Sequence, residues 1–139
     1  MPLDTAMTKK PRRPPIILGK TDAERLSALA AKLEASNPVL ADLLIGEIER
    51  ATVRDDQKVP PTTVSMQSVV EFLDESHGTT RSVQLVYPHD ADIAAGRISV
   101  LTPIGAGLIG LSPGQSIAWP DREGRERTLR ILKVEKPAA

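Results

Sequence analysis

The sequence predicts an α+β protein. An N-terminal antiparallel helical hairpin precedes a small domain with an antiparallel sheet and one short helix. Three observations lead there. Apolar residues recur at helical spacing between Thr21 and Ala51, in two runs separated by Ser36-Asn37-Pro38. After Val64 the period falls to two. A single short segment, Pro103 to Leu111, opens with proline and sits between strand-like runs. Helices followed by strands are the pattern of an α+β fold.

The first helix is expected to start at Thr21, which stands at capping-box spacing from Glu24, so that each side chain satisfies a free N–H of the first turn. Leu26, Leu29, Ala30 and Leu33 draw one apolar stripe. The helix stops before Pro38, because a residue that precedes proline is pushed out of the α region. A second helix is expected from about Val39 to Ala51, with Leu40, Leu43, Leu44 and Ile48 on one side and Val39 and Ile45 widening the stripe. So short a link folds the pair back as an antiparallel hairpin, each arm roughly 20 Å long. Such a hairpin either packs on the following domain or projects as a finger.

Residues 1–15 hold four prolines and the cations Lys9, Lys10, Arg12 and Arg13, and are read as a disordered or extended basic arm. The hairpin then spans residues 16–52. A polar stretch with Pro60-Pro61, residues 53–63, reads as a linker, and the second domain spans residues 64–135. In that domain Val64, Met66, Val70 and Phe72 alternate with polar residues as a half-buried strand. Asp74 to Gly78 is a turn, and Arg81, Val83, Leu85 and Tyr87 share one face of the next strand. Pro88 to Gly96 is a loop and Ile98 to Leu101 a short strand. Pro103 to Leu111 is a short helix with proline in its first turn. Ser116 to Trp119 and Arg127 to Val134 close a hairpin around Gly124.

Composition excludes several function classes. The 139 residues carry 18 basic and 18 acidic side chains, so net charge leaves no footprint of nucleic-acid binding. Splitting the chain at Thr63 leaves neither part strongly charged. With one Phe, one Tyr and one Trp, the chain lacks the aromatic platform of base-stacking modules. No cysteine is present, which removes disulfides and thiolate metal sites. No apolar run has the length of a membrane span, and Ile16-Ile17-Leu18 is too short for the core of a signal peptide. A cytoplasmic protein with no membrane partner is expected. No catalytic constellation, cofactor or metal site is expected either. His77 and His89 fall in loops, no serine sits in a nucleophile elbow, and no P-loop occurs.

Gly105, Gly107 and Gly110 spell G-x-G-x-x-G, the spacing of a dinucleotide-binding loop. That loop needs a long following helix to hold a pyrophosphate, and Pro113 leaves room for only about two turns. The nearest acids that follow, Asp121, Glu123 and Glu126, lie in or beside a hairpin turn. The nucleotide reading is therefore set aside.

The same run, Pro103-Ile104-Gly105-Ala106-Gly107-Leu108-Ile109-Gly110, between a strand and Gly114 with a new strand, resembles the C-terminal domain shared by Gre transcript cleavage factors and Rnk-type regulators. Gly107 stands where alanine is usual. Thr21 to Leu26 resembles the start of the Rnk hairpin. Leu85-Val86-Tyr87-Pro88, followed by Ile98-Ser99-Val100, resembles the Rnk-type sheet. The resemblance covers roughly residues 16–135 and implies a fold: an N-terminal antiparallel hairpin that is a short coiled coil, joined to an FKBP-like C-terminal domain.

It also implies a partner, RNA polymerase, bound near its secondary channel, with Thr102, Pro103, Ile104 and Leu108 as docking residues. No sequence-specific nucleic-acid binding is implied. Gre factors often carry Asp-Ser before the Pro-Ile pair, and here Leu101-Thr102 make that corner more apolar. In Gre factors two acids at the coiled-coil tip help hold a catalytic Mg²⁺, since a hard cation needs clustered carboxylates. This tip has one acid, Glu34, with Asp42 about a turn away, and the hairpin is much shorter. The chain is thus expected to be a non-enzymatic regulator that competes with Gre-like factors without cleavage. The alternative is a cleavage factor using Glu34 and Asp42. The FKBP-like fold also raises a prolyl isomerase, which the scarcity of aromatic residues argues against.

Overall fold

A computed structural model describes residues 14–75, 77–120 and 123–136. The expected basic arm lies outside the described residues except for Pro14 and Pro15. Helices α1 (Lys20–Leu33) and α2 (Pro38–Arg50) form the predicted hairpin. The expected capping box is not used. Gly19 occupies the cap position, and Thr21 already lies inside the first turn. The Thr21 N–H (3.0 Å) and hydroxyl (2.5 Å) both donate to the carboxylate of Asp56. An acid 35 positions along the chain thus does the capping. Helix α2 is capped locally, by the Asn37 side chain accepting the Leu40 N–H at 3.2 Å, with Pro38 in its first turn.

Isolated helices this short are marginal in water, so packing must hold them. Leu26, Ala30 and Leu44 are wholly buried and join one continuous core with Phe72, Leu85, Leu129 and Ile131 of the second domain. Burying a leucine completely contributes about 1.5–3 kcal/mol. The hairpin therefore packs on the domain through its stripe. Its far end, from Glu34 to Val39, is exposed.

Two short strands close the hairpin's base. β1 (Ile17–Gly19) and β2 (Thr52–Arg54) pair in parallel, which the hairpin between them makes possible. A 3-10 turn, Asp56–Lys58, follows and presents Asp56 to α1. The stretch read as a linker thus holds the end of a strand and the external cap. The fully buried Glu47 carboxylate takes two hydrogen bonds from Arg50 (3.1 and 2.6 Å), and that guanidinium also donates to the Pro14 carbonyl.

The second domain is a five-stranded sheet in the order β5-β4-β3-β7-β6. Its strands are β3 (Val69–Asp74), β4 (Thr79–Val86), β5 (Arg97–Ser99), β6 (Ser116–Pro120) and β7 (Glu126–Glu135). The expectation of an antiparallel sheet needs one correction: β5 runs parallel to β4. The loop of residues 88–96, with two 3-10 turns, carries the chain back to start β5 in the same direction. A bulge opposite Glu71 and Phe72 lets Leu132 swing outward, 42% exposed. The first strand also begins later than its alternation suggests. Val64 and Met66 are buried, but Gln67 has a positive φ of 76° and interrupts the strand geometry.

The third helix, α3 (Pro103–Leu108), packs against α2 and β6. Its glycines are explained by close approach. A Cβ on Gly105 would lie 2.2 Å from the Ser99 carbonyl oxygen, and one on Gly107 would lie 2.8 Å from the indole of Trp119. A Cβ on Gly110, at φ 82°, would meet Ile16 at 2.7 Å. The nucleotide-like spacing is a packing pattern.

Candidate partner-docking groove

Thr102 prepares the site. Its side chain accepts the Gly105 N–H at 3.1 Å, which caps α3, while its hydroxyl donates to the Ser99 carbonyl at 2.7 Å. The cap turns Pro103 and Ile104 outward as the first residues of α3, half-buried, on a groove of about 470 Å³. Ile93 and Ile98 extend its apolar wall, and Ile93 is 79% exposed. Arg81, Arg127 and Glu123 supply the polar side. No lining residue is aromatic, so the groove lacks the rings expected around a prolyl substrate.

The expected docking set is only partly brought together. Thr102, Pro103 and Ile104 line the groove. Leu108 does not: it is wholly buried in the core. With α3 only six residues long, its last turn points inward, so Leu108 joins the core instead. Leu101, at the more apolar corner, is half-buried and packs on the core's edge.

Sequence reasoning passed over the polar wall. Arg127 is in phase with the buried Leu129 and Ile131, and Arg81 with Val83 and Leu85. A cation continuing an apolar alternation was the available signal. The Arg127 guanidinium donates to the largely buried Asp74 carboxylate at 2.7 Å. His77 sits beside both, its Nδ1 3.4 Å from Asp74 and 3.2 Å from Arg127. His89 faces Asp90 at 3.3 Å and is mostly exposed. Among the described residues no group of three metal-ligating side chains comes together, and no helix is long and apolar enough to cross a membrane. Glu34 and Asp42 are both exposed. No hydrogen bond or ion pair among the described residues joins them to each other.

Residues 59–136 match the family described as "Transcription elongation factor, GreA/GreB, C-term", and residues 14–53 match "Rnk N-terminus". The chain belongs to the GreA/GreB transcription elongation factor family. Within it the chain is of the Rnk type. It is 36% identical over 123 residues to the regulator of nucleoside diphosphate kinase of Escherichia coli K12, covering 88% of this chain and 90% of that protein. It is 39% identical over 87 residues to transcription elongation factor GreA of Acidiphilium cryptum, covering 63% of this chain and 55% of that one. The solved GreA/GreB elongation factor of Nitrosomonas europaea superimposes with a TM-score of 0.69 at 41% identity, over 88% of this chain and 99% of that chain. The helical hairpin and C-terminal sheet domain of this Rnk-type member are thus the family's own division, and its relatives carry the names of regulators and elongation factors.

Proposed function

We propose that this Rnk-type chain is a transcription regulator that binds RNA polymerase at the secondary channel and competes there with Gre-like factors without stimulating transcript cleavage. The observation that carries the reading is the half-exposed Thr102-Pro103-Ile104 corner on an apolar groove, on a domain of the elongation-factor family. The hairpin supports the second half of the proposal. Its arms are 14 and 13 residues long, and between Glu34 and Asp42 the tip offers Val39, 71% exposed.

Displacement of a Gre factor from core RNA polymerase tests the first half. Wild-type protein is expected to displace it, and a folded Pro103→Asp/Ile104→Asp variant to fail. Equal competition by that variant sinks the docking assignment. For the second half, backtracked complexes are mixed with the protein and Mg²⁺. Cleavage is expected to stay at its intrinsic rate. Stimulated cleavage that disappears in Glu34→Ala/Asp42→Ala would establish the alternative, a cleavage factor working through its tip carboxylates.

A further inference from the structure

We infer that the groove seats an apolar partner segment that carries a carboxylate, and that Arg81 recognises that carboxylate. The inference rests on the docking reading and names the partner's chemistry.

Arg81 pairs directly with Phe72 across β3 and β4. Directly opposed residues of an antiparallel pair share a face, so Arg81 stands on the face that carries the buried Phe72, in the exposed half of β4. Its guanidinium carbon lies 5.8 Å from the centre of the Phe72 ring, within the range of a cation–π contact. The contact keeps the charge close to this face of the sheet. A planar guanidinium suits two-pronged recognition of a carboxylate.

Charge balance makes Arg81 the recognising group. Asp74 is engaged by Arg127 at 2.7 Å, and Glu123 lies 3.9 Å from Arg125. Among the described residues no carboxylate lies within ion-pair distance of Arg81. The opposite side of the groove is apolar: Ile98, Pro103 and Ile104 form one wall, and Ile93 stands at the rim, 79% exposed. A well-exposed isoleucine and a guanidinium without a carboxylate partner, facing one groove, fit a segment that places an apolar side chain and an acid side by side. A phosphate backbone fits poorly, because a nucleic-acid track needs several cations along its length, and among the described residues the groove carries only Arg81 and Arg127, the latter engaged by Asp74.

The test uses the full chain and core RNA polymerase free of nucleic acid. Affinity is measured across a salt series for wild type, Arg81→Glu, Arg81→Lys and Ile104→Asp, with circular dichroism and thermal melting confirming the fold. Arg81→Glu is expected to weaken binding about tenfold or more and to flatten its salt dependence. Arg81→Lys should keep the salt dependence and lose less affinity. Wild-type affinity in Arg81→Glu, with binding abolished in Ile104→Asp, overturns carboxylate recognition and leaves docking intact. Tighter binding by Arg81→Glu, or binding that appears only when nucleic acid is added, also overturns it. Absence of binding by the wild type removes the docking reading itself.

Discussion

The Tyr87 hydroxyl donates to the Asp22 carboxylate at 3.2 Å, joining the first turn of the hairpin to the end of a sheet strand. The other Asp22 oxygen accepts the Met66 N–H, also at 3.2 Å. The Arg25 guanidinium lies 4.6 Å from the centre of the Tyr87 ring. One carboxylate thus ties α1 to two segments of the domain. Tyr87→Phe keeps the ring and deletes the bond. A hydrogen bond to a charged group is worth about 1.5–3 kcal/mol when buried. Because this one is only partly buried, a loss at the lower end is expected in denaturant unfolding.

Tyr87 also predicts behaviour at high pH. Burial, and then the negative charge of Asp22, raise its phenol above the ordinary value of 10.0. The folded state therefore holds the proton more tightly than the unfolded chain. Stability is complete below the ordinary phenol value and falls as pH rises past it. Tyr87 is the single tyrosine, so ultraviolet difference titration reports it alone. The ionisation is expected to be delayed in the native protein and to return to normal in denaturant.

Asp56 predicts the acid side. Hydrogen bonds from the Thr21 hydroxyl and N–H, in that order, lower its carboxyl below the ordinary 3.8. Its contribution is present above that value and lost as pH falls through the lowered one. Asp56→Ala should lower the thermal midpoint at neutral pH, and the gap from wild type should close in strong acid. A gap that is constant with pH would mean that the cap does not act through its charge.

Gly107 and Trp119 form a size-matched pair. Gly107→Ala places a methyl group 2.8 Å from the indole and is expected to cost about 1–3 kcal/mol as overpacking. Trp119→Leu alone leaves a cavity. The double variant should be more stable than the sum of the single losses implies, which a double-mutant cycle measures directly.

Leu108 and Ile104 separate core from surface within one short helix. Leu108→Ala should cost about 2–5 kcal/mol, the range for buried leucines, in thermal or denaturant unfolding. Ile104→Ala, at a half-exposed position, should cost clearly less. Equal costs would mean that Ile104 is also a core residue.

The hairpin was legible because helical spacing is a local signal: Leu26, Ala30, Leu40 and Leu44 announce a buried stripe wherever it packs. What escaped depends on distant partners. Thr21 looks like a local cap residue, yet Asp56 reaches it from across the chain. Ile17–Gly19 and Thr52–Arg54 are too short to read as strands until they meet. The direction of β5 depends on the path of its loop, which no periodicity encodes. Of the four residues taken from the motif, Thr102, Pro103 and Ile104 line one groove, whereas Leu108 is buried, because a six-residue helix turns its last residues into the core. Arg81 and Arg127 were visible only as charges in phase with apolar neighbours, a pattern that needs the sheet's open end to explain it.

The strand order bears on how the chain is made. β7 lies between β3 and β6, so the last strand of this sheet to leave a ribosome is inserted between two made earlier. Until it arrives, β3 keeps one bare edge carrying Val70 and Phe72, an invitation to mispairing. The hairpin and the β3-β4 pair use partners that lie closer in sequence and are available earlier. Completion of the core waits on a pairing of long sequence separation, the slow kind. The interval before β7 emerges is when a nascent chain of this protein has most need of a chaperone.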